Sequence, residues 1–148
     1  VVNDIGVGGR RFGDRERARG GAGRRRDPCG RRRSVVNGDD VADWDGAANL
    51  IKTALDNFGR LDVLVNNAGF LRDRMLANMS EEEWDAVTRV HLKGHFAPMR
   101  HAMTYWRNEA KAGNPPVDAR IINTSSGAGL MGSIGQATTP PPRPESRH

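Results

Sequence analysis

The stretch Leu61-Asp62-Val63-Leu64-Val65-Asn66-Asn67-Ala68-Gly69 decides the fold. A short apolar run of strand length ends abruptly in asparagine, alanine and glycine, which are turn formers. Leu61 to Asn66 is therefore expected to be a buried strand. Upstream, Ala47, Leu50, Ile51, Ala54, Leu55 and Phe58 recur at helical spacing. Asp43 stands at the N-cap of that helix, and Gly59 stands where a left-handed stop belongs. Before the helix, Val35-Val36-Asn37 reads as a short strand running into Gly38-Asp39-Asp40. Downstream, Ser80 and Glu83 make a capping box ahead of a long helix. Trp84, Val87, His91 and Phe96 lie near one face of it, and Trp84 and Phe96 are expected in the core. Pro98 is expected to kink or break that helix. Arg120-Ile121-Ile122-Asn123-Thr124 reads as a second buried strand, opening into Ser125-Ser126-Gly127.

Strand, helix, strand, helix, strand is the alternation of a parallel α/β sheet with flanking helices. Ligands of such sheets sit outside the carboxyl ends of the strands. The polar groups at those ends are Asp4, Asp40, Asn66 with Asn67, and Ser125 with Ser126. They are expected to converge on one rim.

The 148 residues carry a net charge of +5, but the charge is not spread evenly. Arg10 to Arg33 holds eleven arginines and three acids, a local +8, which leaves −3 for the remainder. Four zones follow: 1–9, a strand end; 10–34, an Arg/Gly-rich irregular segment; 35–137, with regular globular patterning; and 138–148, a Pro-rich irregular tail. One cysteine, Cys29, excludes a disulfide framework, and no metal site is expected. No apolar run approaches the ~20 residues of a membrane span. With no signal-peptide pattern, a cytoplasmic location is the expectation. An arginine-rich arm can bind nucleic-acid phosphates, but only Phe12 is interleaved with these arginines, so base stacking is not provided and nucleic acid is not the expected partner.

Asn66-Asn67-Ala68-Gly69 after a strand resembles the NNAG signature of the short-chain dehydrogenases/reductases. Asp40-Val41 resembles that family's adenine-contacting pair, and Ile121-Ile122-Asn123-Thr124-Ser125-Ser126-Gly127 resembles its catalytic-serine strand. Leu71-Arg72-Asp73-Arg74 and Val90-His91-Leu92-Lys93-Gly94 are similar to the 3-hydroxyacyl-CoA and hydroxysteroid dehydrogenase branch. The resemblance implies an incomplete Rossmann-like sheet that binds NAD and oxidises a small-molecule secondary alcohol to a ketone. Asp4 would take the adenosine ribose hydroxyls, which favours NAD over NADP. Asp40 and Val41 would flank the adenine, and Asn66, Asn67, Ala68 and Gly69 would pass beside the ribose. Ser126 would hydrogen-bond the reacting oxygen. His91 stands where many members have a catalytic asparagine and is a second candidate catalytic residue. A homo- or hetero-oligomer is compatible with the resemblance.

Two departures bear on activity. The glycine-rich phosphate loop of the family precedes its second strand, and Gly6-Val7-Gly8-Gly9 follows the strand ending at Asp4, so it is not that loop. Counting from Ser126, the catalytic tyrosine falls on Thr139 and the lysine on Arg143, with Pro140, Pro141 and Pro142 between them. An inactive chain, or a non-catalytic partner of an intact homologue, is the expectation. Both odd zones decode as family-like sequence after a frame shift. One T placed before an ACG codon for Thr139 turns the tail into Tyr-Ala-Ala-Ala-Lys. The segment 23–34 becomes Val-Val-Asp-Glu-Ile-Arg-Ala-Ala-Gly-Gly-Glu-Ala. Sequencing the genomic locus tests this: the shifted codings should be present in the DNA, and codons incompatible with them remove the explanation.

Overall fold

The computed structural model describes residues 1–3, 24–26, 33–116 and 118–128. Asp4, the stretch Gly6-Val7-Gly8-Gly9, Cys29, Thr139 and Arg143 lie outside the described residues. The architecture is α/β, with parallel strands and helices packed on them. In chain order the elements are β1 (Val2–Asn3), β2 (Arg24–Arg26), β3 (Arg33–Asn37), α1 (Trp44–Phe58), β4 (Val63–Asn66), α2 (Glu81–Thr88), α3 (Gly94–Lys111) and β5 (Arg120–Asn123). A 3-10 turn, Leu76–Asn78, precedes α2, and a π-helical turn, Arg89–Lys93, joins α2 to α3.

The strands form two groups. β1 pairs in parallel with β3, Val2 opposite Val36, and β2 adds to the far side of β3 antiparallel. β4 and β5 pair in parallel, Val63 opposite Arg120 and Asn66 opposite Asn123. Within segment 10–34, expected to be irregular, Arg24–Arg26 is thus an edge strand. It extends β3 back to Arg33, two residues before the expected start at Val35.

The local signals are realised. Asp43 accepts the Gly46 N–H, and Gly59 closes α1 at φ 74°, a left-handed conformation that costs glycine nothing. Ser80 and Glu83 form both halves of the capping box. Pro98 neither breaks nor ends its helix: it is buried inside α3, one turn past the π turn. Among the described residues no helix is long and apolar enough to cross a membrane.

The core sits between α1, α3 and β4, where Ile51, Leu64, Ala102 and Trp106 pack together with Leu55, Leu61 and Ile121 beside them. The Trp106 indole N–H donates to the Leu61 carbonyl at 2.7 Å, pinning α3 to the lead-in of β4. Two expectations are corrected here. β4 and β5 are not buried on both faces: Val63, Val65 and Ile122 are 44, 56 and 50% exposed, because the helices cover only the Leu64 side. Trp84 and Phe96 are exposed rather than core. Phe96 instead meets Trp44 at 6.2 Å between ring centroids, and Trp44 also faces His101 at 4.6 Å.

Trp106→Phe keeps most of the packing but strands the Leu61 carbonyl. It should cost about 1–2 kcal/mol in denaturant unfolding, against about 3–5 kcal/mol for Trp106→Ala.

Candidate functional site

The site is built from two strand ends and the turn that faces them. β3 ends at the buried Asn37, whose amide Nδ2 donates to Asp39 Oδ2 at 2.7 Å and to Thr53 Oγ1 at 3.3 Å. Its Oδ1 accepts the Asp39 N–H at 3.1 Å. This side chain imitates a backbone turn and swings the chain off the strand. Asp40 follows, with Oδ1 accepting the Ala42 N–H at 2.8 Å and Oδ2 accepting from Arg89 at 2.7 Å. Partial burial pushes the Asp40 carboxyl up. The Ala42 amide, the Arg89 bond and the positive charges of Arg89 and Lys93 outweigh it, and hold the group below the usual aspartate range. Val41 is buried, and its Cγ2 lies where a Cβ on Gly94 would come within 3.2 Å.

β4 ends at Asn66, 5% exposed. Its Nδ2 donates to Asn123 Oδ1 at 2.8 Å, and its carbonyl accepts the Thr124 N–H at 3.0 Å. Asn66 is therefore engaged in joining β4 to β5, while Asn67 is exposed and Ala68 half-buried. Gly69 lies under the His91 ring: a Cβ there would come 2.6 Å from Cε1. His91 Nε2 hydrogen-bonds the Phe70 carbonyl at 3.0 Å. In that bond the ring nitrogen donates, so His91 holds the Asn66–Gly69 turn from outside.

The expected convergence is seen in part. Val41, Asn66, Asn67 and Ala68 line one cavity of about 290 Å³, with Gly94 beside them. Asp40 and Gly69 are both tied to the π turn, through Arg89 and His91. Ser126 is exposed at the end of β5, and its Oγ accepts the Ala128 N–H at 3.2 Å, leaving its own hydrogen to donate elsewhere. Asp4 falls outside the described residues. Sequence reading left Arg89 unnamed, and it placed Gly94 and Asn123 in motifs without their contacts to Val41 and Asn66, which are distant in the chain.

The profile of the short chain dehydrogenases matches residues 25–138. Hydroxyacyl-CoA dehydrogenase ChsB1 of Mycobacterium tuberculosis is 51% identical over 106 residues, which cover 71% of this chain and 33% of that protein. Peroxisomal multifunctional enzyme type 2 of Mus musculus is 44% identical over 105 residues, 71% of this chain and 13% of that protein. A crystal structure of a short chain dehydrogenase from Mycobacterium avium is similar with a TM-score of 0.72 and 56% identity, over 93% of this chain and 48% of that one. The chain thus spans a third or less of these curated relatives and about half of the solved chain.

Two outcomes follow from the geometry. Gly69→Ala should destabilise the chain, and His91→Ala in the same background should return about 1–2 kcal/mol, a non-additive cycle read by denaturant unfolding. Asp40 ionises below its unfolded value of ~3.9. Its contribution to stability is therefore full above that value and fades as pH falls through the lower folded one. Arg89→Met should flatten the stability–pH curve in that acid window and leave its slope between pH 6 and 8 unchanged.

Proposed function

The chain belongs to the short-chain dehydrogenase family, and from that premise we propose that it derives from an NAD-dependent oxidoreductase of secondary alcohols, of the 3-hydroxyacyl-CoA or hydroxysteroid type, and that it retains the adenosine end of the cofactor site without the proton-transfer machinery. The observation that carries the first half is the shared cavity of Val41, Asn66, Asn67 and Ala68, with the Asp40 carboxylate tied in beside them. Small-molecule sites run from ~300 Å³ upward, so about 290 Å³ suits a nucleoside better than a whole dinucleotide. The residues present fit that part. Asp40 stays ionised near neutral pH, and each of its oxygens keeps a lone pair for an adenine amino group. Asn67 and the Ala68–Gly69 backbone present polar groups at the rim. The resemblance implies Asp4 for the ribose. When bound, NAD supplies the hydride acceptor. The names of the relatives support the hydroxyacyl-CoA class.

Ser126 would donate its hydroxyl hydrogen to the substrate oxygen. The alcohol proton then needs an acceptor. A phenol with ordinary pKa ~10 can be tuned toward neutrality; Thr139, at the tyrosine position, offers only an alkyl hydroxyl that does not ionise in water. Arg143 stands at the lysine position, and Pro140 to Pro142, which have no backbone N–H, stand between the two.

Calorimetric titration of the 148-residue chain with NAD⁺ should show weak saturable binding, with Kd on the order of 1 mM, weakened further by Asp40→Ala. Oxidation of a 3-hydroxyacyl-CoA should run at least ~10²–10⁴-fold below an intact homologue, the usual worth of general acid–base catalysis. No saturable binding overturns the nucleotide assignment; turnover at the homologue's rate overturns the loss of catalysis.

A further inference from the structure

The antiparallel strand β2 lies at the outer end of its sheet, in the order β1-β3-β2. Among the described residues it pairs with β3 alone, Arg24 opposite Val35, Arg25 opposite Ser34 and Arg26 opposite Arg33. Along a strand, the backbone groups of successive residues face its two neighbours alternately. With β3 on one side, either Arg25 or the pair Arg24 and Arg26 turns N–H and C=O groups to the other. An edge of this kind is a template for a further strand.

The composition of the edge says which strand it accepts. β2 is three consecutive arginines, so a charge of +3 runs without interruption over ~10 Å of strand. Arg33 of β3 adds a fourth cation, and neither strand contains an acid. Arg26 stands directly opposite Arg33, and like charges in that position weaken an antiparallel pair. The surrounding sequence does not compensate, since Arg10 to Arg33 sums to +8. A neutral strand would gain backbone bonds and leave the charge unopposed. A second copy of β2 would set three more arginines against the first three, the repulsion by which charged edges resist self-pairing. A nucleic acid would oppose the charge, but its phosphates accept hydrogen bonds and donate none, which leaves the carbonyls of the edge unpaired. A carboxylate-rich polypeptide meets both demands.

We propose that β2 is a docking edge for an acidic, extended segment of another protein, which adds as a further strand beside β2 and pairs its backbone with Arg24–Arg26. Main-chain bonds supply the affinity, and opposite charge selects the partner. Carboxylates on the added strand also relieve the like-charge pair of Arg26 and Arg33. Because the arginines are consecutive, a run of consecutive acids fits in either strand direction. The proposal does not depend on nucleotide binding.

The probe is a synthetic peptide, acetyl-Thr-Val-Glu-Glu-Glu-Val-Thr amide. It is added to the full 148-residue chain, and amide hydrogen exchange is followed residue by residue. With free peptide at a hundredfold its Kd, the amides on the open side, of Arg25 or of Arg24 and Arg26, should exchange roughly a hundredfold more slowly. Glutamine in place of the three glutamates keeps the backbone and removes the charge, and should weaken binding at least ~10-fold. N-methylation of every residue keeps the charge and removes the donors, and should also weaken binding at least ~10-fold. Equal binding of the N-methylated peptide would mean charge attraction without strand pairing and overturns the proposal. Equal binding of the glutamine peptide removes the selection for acid and overturns it too. So does the absence of binding. A short oligothymidylate that binds these arginines more tightly than the peptide would put a nucleic acid there instead. Protection of β2 without peptide, growing with protein concentration, would put a second copy there, and either result overturns the proposal.

Discussion

One wide turn of helix holds the candidate site together. Over Arg89–Lys93 the backbone widens from α to π geometry, and two of its residues, Arg89 and His91, reach partners far away in the chain. Arg89 takes the Asp40 carboxylate, and His91 covers Gly69 and bonds the Phe70 carbonyl. Gly94, the next residue on, gives the room that Val41 fills. The ends of β3 and β4 have no strand-to-strand bond to each other among the described residues. Their relative placement depends on contacts made through this turn and on the packing of α1 against α3.

The strand ends follow one physical rule. At the ends of β3 and β4 a polar side chain is buried, Asn37 and Asn66, and each is used to satisfy backbone or amide groups that would otherwise be stranded. Asn37 closes the turn after β3 and binds Thr53 of α1; Asn66 binds Asn123 across the β4–β5 pair. Functional residues are set next to these: Asp40 follows Asn37, Asn67 follows Asn66, and Ser126 follows Asn123 within one short loop. The scaffold function of one residue orients the ligand-facing neighbour. Asp40 combines both, since its ion pair with Arg89 leaves acceptor capacity on each oxygen.

What could be read from the sequence was local. The caps at Asp43, Gly59 and Ser80 involve partners within four residues, and all three appear where turn chemistry places them. The Asn66–Gly69 turn and the Ser126 loop were marked by type and order. The burial of β4 and β5 was misread because valine and isoleucine occupy both faces of these strands; such a run signals double burial only if two layers exist to cover it. Trp84 and Phe96 failed for a related reason. A stripe on a helix says which residues share a face, not whether anything packs against that face. The Arg24–Arg26 strand carries no sequence signal, because its pairing is made by the backbone. The His91–Gly69 contact joins residues far apart in the chain, beyond the reach of any local pattern.

A π turn is, geometrically, an α-helix with one residue inserted. Each residue of an α-helix advances the azimuth by about 100°. Removing a single residue between Arg89 and Lys93 would restore the ordinary ladder and swing everything upstream through that angle. Ser80, Glu83 and the Arg74 bonded to Glu83 would then face a different quarter of the molecule. Chain length in this one turn is therefore held more tightly than side-chain identity, and homologues should tolerate substitution there far more readily than deletion.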